Sequence, residues 1–212
     1  PFVWPPLRPS RALGLGMPAI VVPGYVPLPM WRHAMGRAVK AFEATVSLLF
    51  HRQVTPFDII TARTYLEIIG TILAGFLVMI GAIALGYMNP PQDYGLLLMG
   101  LLFQCMFSFA TALLVASLSE ISDLVEKAVG ILSYLSLPFS GAFIMVSWLP
   151  MKYQWILELS PMANNVEMIR GGQFGISGNA KYDIFYDTWM TALMLLIGIW
   201  MTRNVRKHLT VV

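Results

Sequence analysis

Apolar residues fall into long runs that charged residues interrupt at only a few places. Three runs hold no Asp, Glu, Lys, Arg or His: residues 68–92, 94–119 and 128–151. Each exceeds the roughly 20 residues that an α-helix needs to cross a bilayer core. A fourth run, 188–202, is shorter. It spans if its helix starts near Ile184 and carries Asp187 at the interface. The third run contains SYLSLPFSG, where Pro138 removes a backbone hydrogen bond and Gly141 loosens packing, so a kink is expected there.

Upstream, Trp31, Met35, Ala38, Phe42, Val46 and Leu49 recur at helical spacing. Arg32, His33, Gly36, Arg37, Lys40 and Glu43 fill the other face. Two readings of this basic amphipathic helix stay open. It lies on anionic lipid, or it spans with its polar face toward a water-filled conduit. Residues 50–63, FHRQVTPFDIITAR, form a polar elbow. Pro56 disfavours helix at Thr55, and Asp58 then opens the next helix. The expected layout is an irregular, proline-rich segment over 1–30 and a helical transmembrane domain over 31–212. Spans are expected at about 27–47, 64–88, 95–118, 128–149 and 184–202, with an insert over 150–178.

That insert reads PMKYQWILELSPMANNVEMIRGGQFG over 150–175. Tyr153, Ile156 and Leu159 share one helical face, with Trp155 beside them. Ser160 suits a cap and Pro161 the first helical position. Met162, Val166 and Ile169 line a second face. Glu167 and Arg170, three apart, are placed to pair weakly on the helix surface, and Gly171-Gly172 to end the helix. The expectation is a short helix pair, too polar to cross. It dips into the membrane as a re-entrant pair, or it lies as an interfacial loop anchored by Trp148, Tyr153 and Trp155.

Composition agrees. The chain has 212 residues, 57% hydrophobic and 12% charged, against about 25% charged in average soluble domains. Mean hydropathy is +0.68. The net charge of +3 fits Lys and Arg retained in cytoplasmic loops, not nucleic-acid binding. The tail RNVRKH holds Arg203, Arg206 and Lys207, whereas the hairpin MNPPQDYG holds no basic residue. The C-terminus is therefore expected in the cytoplasm and the hairpin outside, and alternation puts the elbow inside and the insert outside. Cys105, the single cysteine, allows no disulfide framework or zinc spacing within one chain.

Missing chemistry narrows the function. There is no GxxxxGK[ST] loop for ATP, no HExxH and no GxSxG. The three clean spans lack the ionisable groups of proton relays and ion-coupled transporters. His33, His51 and His208 share no ligand spacing, so no metal site is expected. A lipid-modifying enzyme using Glu167 or Asp58 would rest on a lone carboxylate. A permease energised from elsewhere remains.

Two blocks carry a resemblance: AFEATVSLLFHRQVTPFDIITARTYLE, 41–67, and ELSPMANNVEMIRGGQFG, 158–175. Through Glu43, Arg52, Val54, Pro56, Asp58, Ala62, Arg63 and Glu67, the first resembles the cytoplasmic elbow of the membrane subunit of type-2 ABC exporters for capsule and O-antigen polysaccharide. Through Pro161, Val166, Glu167 and Arg170, the second resembles that family's outer insert, with Ser160 where Asn is usual and Asn164 where His is common. Likeness runs over about 24–208 and lacks the family's first membrane helix. It implies an all-α polytopic membrane protein with about five transmembrane helices, a re-entrant outer helix pair and a cytoplasmic coupling elbow. It implies a bacterial inner-membrane permease, multi-pass, exporting lipid-linked polysaccharide. Its partners would be a second copy of itself, two ABC ATPase subunits and membrane lipid. No cofactor is expected in this chain, since ATP and Mg would sit on the ATPase. His51, Arg52, Pro56, Asp58 and Arg63 would couple to the ATPase. Trp31, Arg32, Arg37 and Lys40 would line the conduit. Trp155, Pro161, Glu167, Arg170, Gly171 and Gly172 would form an outer gate. The alternatives are another type-2 ABC permease, for lipid, drug or teichoic-acid-like polymer, and a truncated membrane protein that transports nothing.

Overall fold

The structure, a computed structural model, describes residues 17–45, 54–175 and 180–209. Among them are eight α-helices and no strand: α1 Met17–Tyr25, α2 Pro27–Ala38, α3 Pro56–Ala84, α4 Tyr94–Ile121, α5 Asp123–Phe139, α6 Met151–Glu158, α7 Pro161–Phe174 and α8 Ile184–Leu209. Helices α3, α4 and α8 are long and apolar enough to cross a membrane. The all-α polytopic membrane expectation therefore holds.

The centre is α4, which touches α2, α3, α5, α7 and α8. More than half of its apolar window is buried, 56%, against 6% for α3 and 17% for α8. The outer helices thus leave Leu66, Leu73, Leu77, Leu196 and Trp200 exposed, which in a membrane helix is the lipid-facing pattern. On α8 the buried positions Asp187, Thr191, Gly198 and Thr202 share one face. That face packs on α4, with the Thr202 and Ser117 hydroxyls 3.0 Å apart. Asp187, in the first turn of α8, faces protein. It is fully buried, and neither carboxylate oxygen has a partner among the described residues.

Three expectations of span and helix shape need correction. The chain is helical from Met17, not irregular through residue 30. Helices α1 and α2 run nearly end to end, with Pro23 inside α1 and Pro27 opening α2. Proline suits a helix start and is tolerated at membrane depth where neighbours satisfy the freed carbonyls. The amphipathic helix ends at Ala38 rather than continuing to residue 47. Lys40 takes a left-handed backbone, φ +47°, and its N–H donates to the Ser119 hydroxyl at 3.0 Å. Its ammonium meets Asp123 at 3.0 Å and Glu126 at 3.5 Å. These contacts with the α4–α5 junction override the helical pattern. Helix α5 stops at Phe139 instead of kinking onward to 149, and Gly141 turns the chain with φ +67°.

At the elbow the reading holds. Thr55 is extended and caps α3, accepting from the Asp58 N–H, while the Asp58 carboxylate accepts from the Thr55 N–H at 2.9 Å. This is a reciprocal capping box, with Pro56 at the first helical position. His51 and Arg52 lie outside the described residues.

Helix α7 packs so tightly on α4 that two glycines become a requirement. A Cβ on Gly172 would meet the Leu97 Cα and Cβ at 2.7 Å, and one on Gly100 would meet the Ile169 amide nitrogen at 3.0 Å. Gly172→Ala and Gly100→Ala should each destabilise the detergent-solubilised protein by about 1–3 kcal/mol, read as a lower melting temperature. Gly70 and Gly81 on α3 meet nothing within 4 Å. Alanine at either should be neutral or stabilising, because glycine costs up to about 1 kcal/mol in a helix interior.

Candidate functional site

Every residue of α7, Pro161 through Phe174, is buried. This overturns the expectation that Glu167 and Arg170 pair on the helix surface. The helix antiparallels the first half of α4: Gly172 lies against Leu97, Ile169 against Gly100 and Asn165 against Gln104. Gln104 lies ten residues past Tyr94, about 15 Å along α4. Helix α7 therefore runs beside a membrane-spanning helix, as the second arm of a re-entrant hairpin would, and ends at the α3–α4 connection. Gly171-Gly172 neither ends the helix nor hinges it. They sit inside it, and it closes at Gly175, φ +59°. Ser160 occupies the cap position, but its side chain makes no cap bond. In α6 the buried face is Gln154 and Leu157, not Tyr153, Ile156 and Leu159.

Arg170 and Glu167 organise this end of the molecule, and both side chains are wholly inaccessible. The Arg170 guanidinium donates to the carbonyls of Gly141 at 2.6 Å, Ile144 at 3.2 Å and Ala142. Those carbonyls belong to the loop that follows α5. That loop is buried at Gly141 and Ala142 and is not helical, so it cannot satisfy itself. An unpaired backbone group at membrane depth costs several kcal/mol. Arg170 supplies the missing donors with its planar fork. Glu167 stands 3.4 Å from the guanidinium and balances its charge. Its oxygens also accept from the Val146 N–H at 3.1 Å and the Lys181 N–H at 3.3 Å. One ion pair thus ties α7 to the α5–α6 loop and to the strap entering α8. Gly24 of α1 completes the packing, because a Cβ there would strike the Arg170 guanidinium and the Ala142 carbonyl oxygen.

Carboxamides extend the network. Gln104 donates to the Pro27 carbonyl at 3.0 Å and accepts from Asn165 at 3.1 Å, joining α2, α4 and α7. Asn164 forms two bonds with the Asp183 backbone, 2.7 and 2.8 Å. Gln173 donates to the Asn89 carbonyl at 2.7 Å, and the Asp93 N–H donates to the Gly172 carbonyl at 2.9 Å. Gln104, Asn165 and Gln173 carry no charge and so do not stand out among the ionisable groups of the sequence. The signal available was an amide, Gln104, inside a run otherwise apolar or small.

At the opposite end, the basic face of α2 is engaged within the protomer rather than free. Arg37 meets Glu67 at 2.9 Å, and Arg63 donates to the Arg37 carbonyl at 3.3 Å. Arg32 lies over the Tyr134 ring, 5.5 Å from its centroid. The Asp123 hydrogen bond and charge hold the Lys40 ammonium above its ordinary pKa. Trp31 is half-buried against Leu28 and Phe107. These contacts make α2 a strut between the capped start of α3 and the start of α5.

Comparison with known proteins adds the context. Residues 38–174 match the family model described as ABC-2 type transporter. The capsule polysaccharide export inner-membrane protein BexB of Haemophilus influenzae is 35% identical over 206 residues, covering 97% of this chain and 78% of that protein. The capsule polysaccharide export inner-membrane protein CtrC of Neisseria meningitidis serogroup B is 34% identical over 206 residues, with the same coverage. CtrC of serogroup A is 30% identical over 198 residues, 93% of this chain and 75% of that protein.

Removing either charge of the pair should be costly. Arg170→Met strands Glu167 and three carbonyls, and should destabilise by about 3–5 kcal/mol. Arg170→Lys should recover only part, since one ammonium cannot reproduce the fork. Thermal survival of the detergent-solubilised protein, followed by size-exclusion chromatography, reads both.

Proposed function

This chain belongs to the ABC-2 type transporter family, and on that footing we propose that it is the inner-membrane permease subunit of a capsule-polysaccharide exporter. The observation that carries the proposal is alignment of nearly the whole chain with capsule export proteins from two genera. The polytopic helical architecture supports it. ATP binding and hydrolysis are assigned to separate ABC ATPase subunits, since the chain has no phosphate-binding loop. Two copies of this chain and two ATPases form the working unit, and the substrate is a lipid-linked glycan.

In this reading the elbow receives the ATPase stroke. Asp58 is exposed and Pro56 buried, so the capping box presents a rigid helix start. Glu67, about three turns along α3, takes Arg37 of α2. Motion at the elbow therefore reaches α2 and, through Gln104, the re-entrant hairpin. The hairpin is the outer end of the conduit. It moves as a body, because its glycines are packing sites and not hinges.

Co-purification with the ATPase tests this. Wild-type protein in mild detergent should retain the ATPase and restore surface polysaccharide to cells lacking the gene. Asp58→Lys should release the ATPase and abolish export while the chain stays folded in the membrane. Pro56→Ala should weaken both. A chain that restores export without retaining any ATPase would contradict the proposal.

A further inference from the structure

A cleft of about 790 Å3 opens beside the tip of the re-entrant hairpin. It is lined by the end of α6, the start of α7, the strap 180–183 and the first turn of α8. Three aromatic rings face it, from Trp155, Tyr182 and Tyr186. Trp155 is 61% exposed and Tyr182 39%. Glu158, Lys181 and Asp183 share the lining. None of these residues belongs to the Arg170–Glu167 hub, apart from the Lys181 backbone.

The walls are held in place. Tyr186 donates its hydroxyl to the Leu159 carbonyl at 2.6 Å, which fixes its ring across the cleft. Asp183 is clamped by Asn164 and caps α8, one carboxylate oxygen accepting from Phe185 and Tyr186. The Lys181 ammonium is committed to Gln154 at 2.7 Å. Glu158 is exposed and makes no ion pair among the described residues. A pre-formed cavity of this size with a few fixed polar groups has the character of a small-ligand site.

Three facts decide what it would take. Charged side chains on its wall keep the cleft wet. Exposed aromatic rings there need an apolar partner that tolerates water. Two carboxylates against one committed ammonium disfavour an anionic group and favour hydroxyl donors, which a carboxylate accepts strongly. A neutral pyranose ring meets all three conditions, with an apolar C–H face and a rim of hydroxyls. We propose that this cleft is a saccharide subsite at the outer end of the conduit, where a neutral sugar ring of the exported chain stacks on Trp155 and Tyr182 and donates hydroxyls to Glu158 and Asp183. The proposal rests on the polysaccharide-export reading and adds where the glycan is held.

The test uses the complete exporter with its ATPase in nanodiscs. Short oligosaccharides cut from the surface polysaccharide of the producing cells are titrated while tryptophan fluorescence and ligand-observed NMR are recorded. Wild type should give a saturable response. Trp155→Ala and Tyr182→Ala should each weaken binding by about tenfold, the worth of one good aromatic contact, and should slow export in cells. Both side chains are exposed, so ATPase retention should stay normal. Tyr153→Ala, an exposed aromatic outside the cleft, should leave binding and export unchanged. Wild-type export with unaltered oligosaccharide binding in both variants would overturn the subsite and leave the exporter standing. A cleft that responds to phosphatidylethanolamine vesicles and not to oligosaccharide would overturn it in favour of a lipid headgroup. Failure of the wild type to restore surface polysaccharide would overturn both readings at once.

Discussion

A buried, non-helical stretch of backbone at membrane depth must find donors, and here one guanidinium provides them. The carbonyls of Gly141, Ala142 and Ile144 have no helix to belong to, because α5 stops at Phe139. Arg170 reaches all three. Burying that cation alone would be prohibitive, so Glu167 sits beside it one turn away and itself accepts two backbone N–H groups. The pair is a weak source of net stability, since desolvation offsets much of its Coulomb attraction. What it confers is position. Only one placement of α7 satisfies the α5–α6 loop, the Lys181 strap and the guanidinium together.

The rest of the outer half follows. Held by that pair, α7 must lie close on α4, and glycine at 100 and 172 permits the approach. Gln104 and Asn165 then register α7 against α2. Asn164 fixes the start of α8, whose buried face returns to α4. A continuous set of contacts runs from the capped start of α3 through Arg37 and α2 to the hairpin. A displacement at the start of α3 would have a route to α7, carried by packed helices with no ionisable relay in the described core of α4.

Much of this was legible in the chain. Charge-free runs located α3 and α4, since length and hydropathy alone decide whether a helix can span. Pro56 and Asp58 announced the start of α3 to within two residues, because proline's effect on the residue before it is local. The polar block 159–175 stood out as a helix pair too polar to cross, because polar residues are conspicuous in an apolar context, but its placement along a span or on the surface stayed open. Its burial was not legible. Periodicity assigns a polar face to solvent, and only the tertiary contacts reveal that the solvent for Glu167 and Arg170 is backbone. Gly171-Gly172 reads locally as a helix end, but the helix continues because α4 lies against it. Lys40 likewise leaves the helical pattern for partners, Ser119 and Asp123, about eighty positions away. Such long-range partners carry no signature in a single sequence.

Hydrogen–deuterium exchange on the ATPase-bound complex in nanodiscs tests whether the ion pair fixes α7. If Arg170 and Glu167 hold α7 as a buried body, amides 162–174 will exchange as slowly as those in the core of α4, with residues 141–146 protected alongside them. Rapid exchange across 162–174, of the kind an exposed and mobile lid would give, would contradict the account.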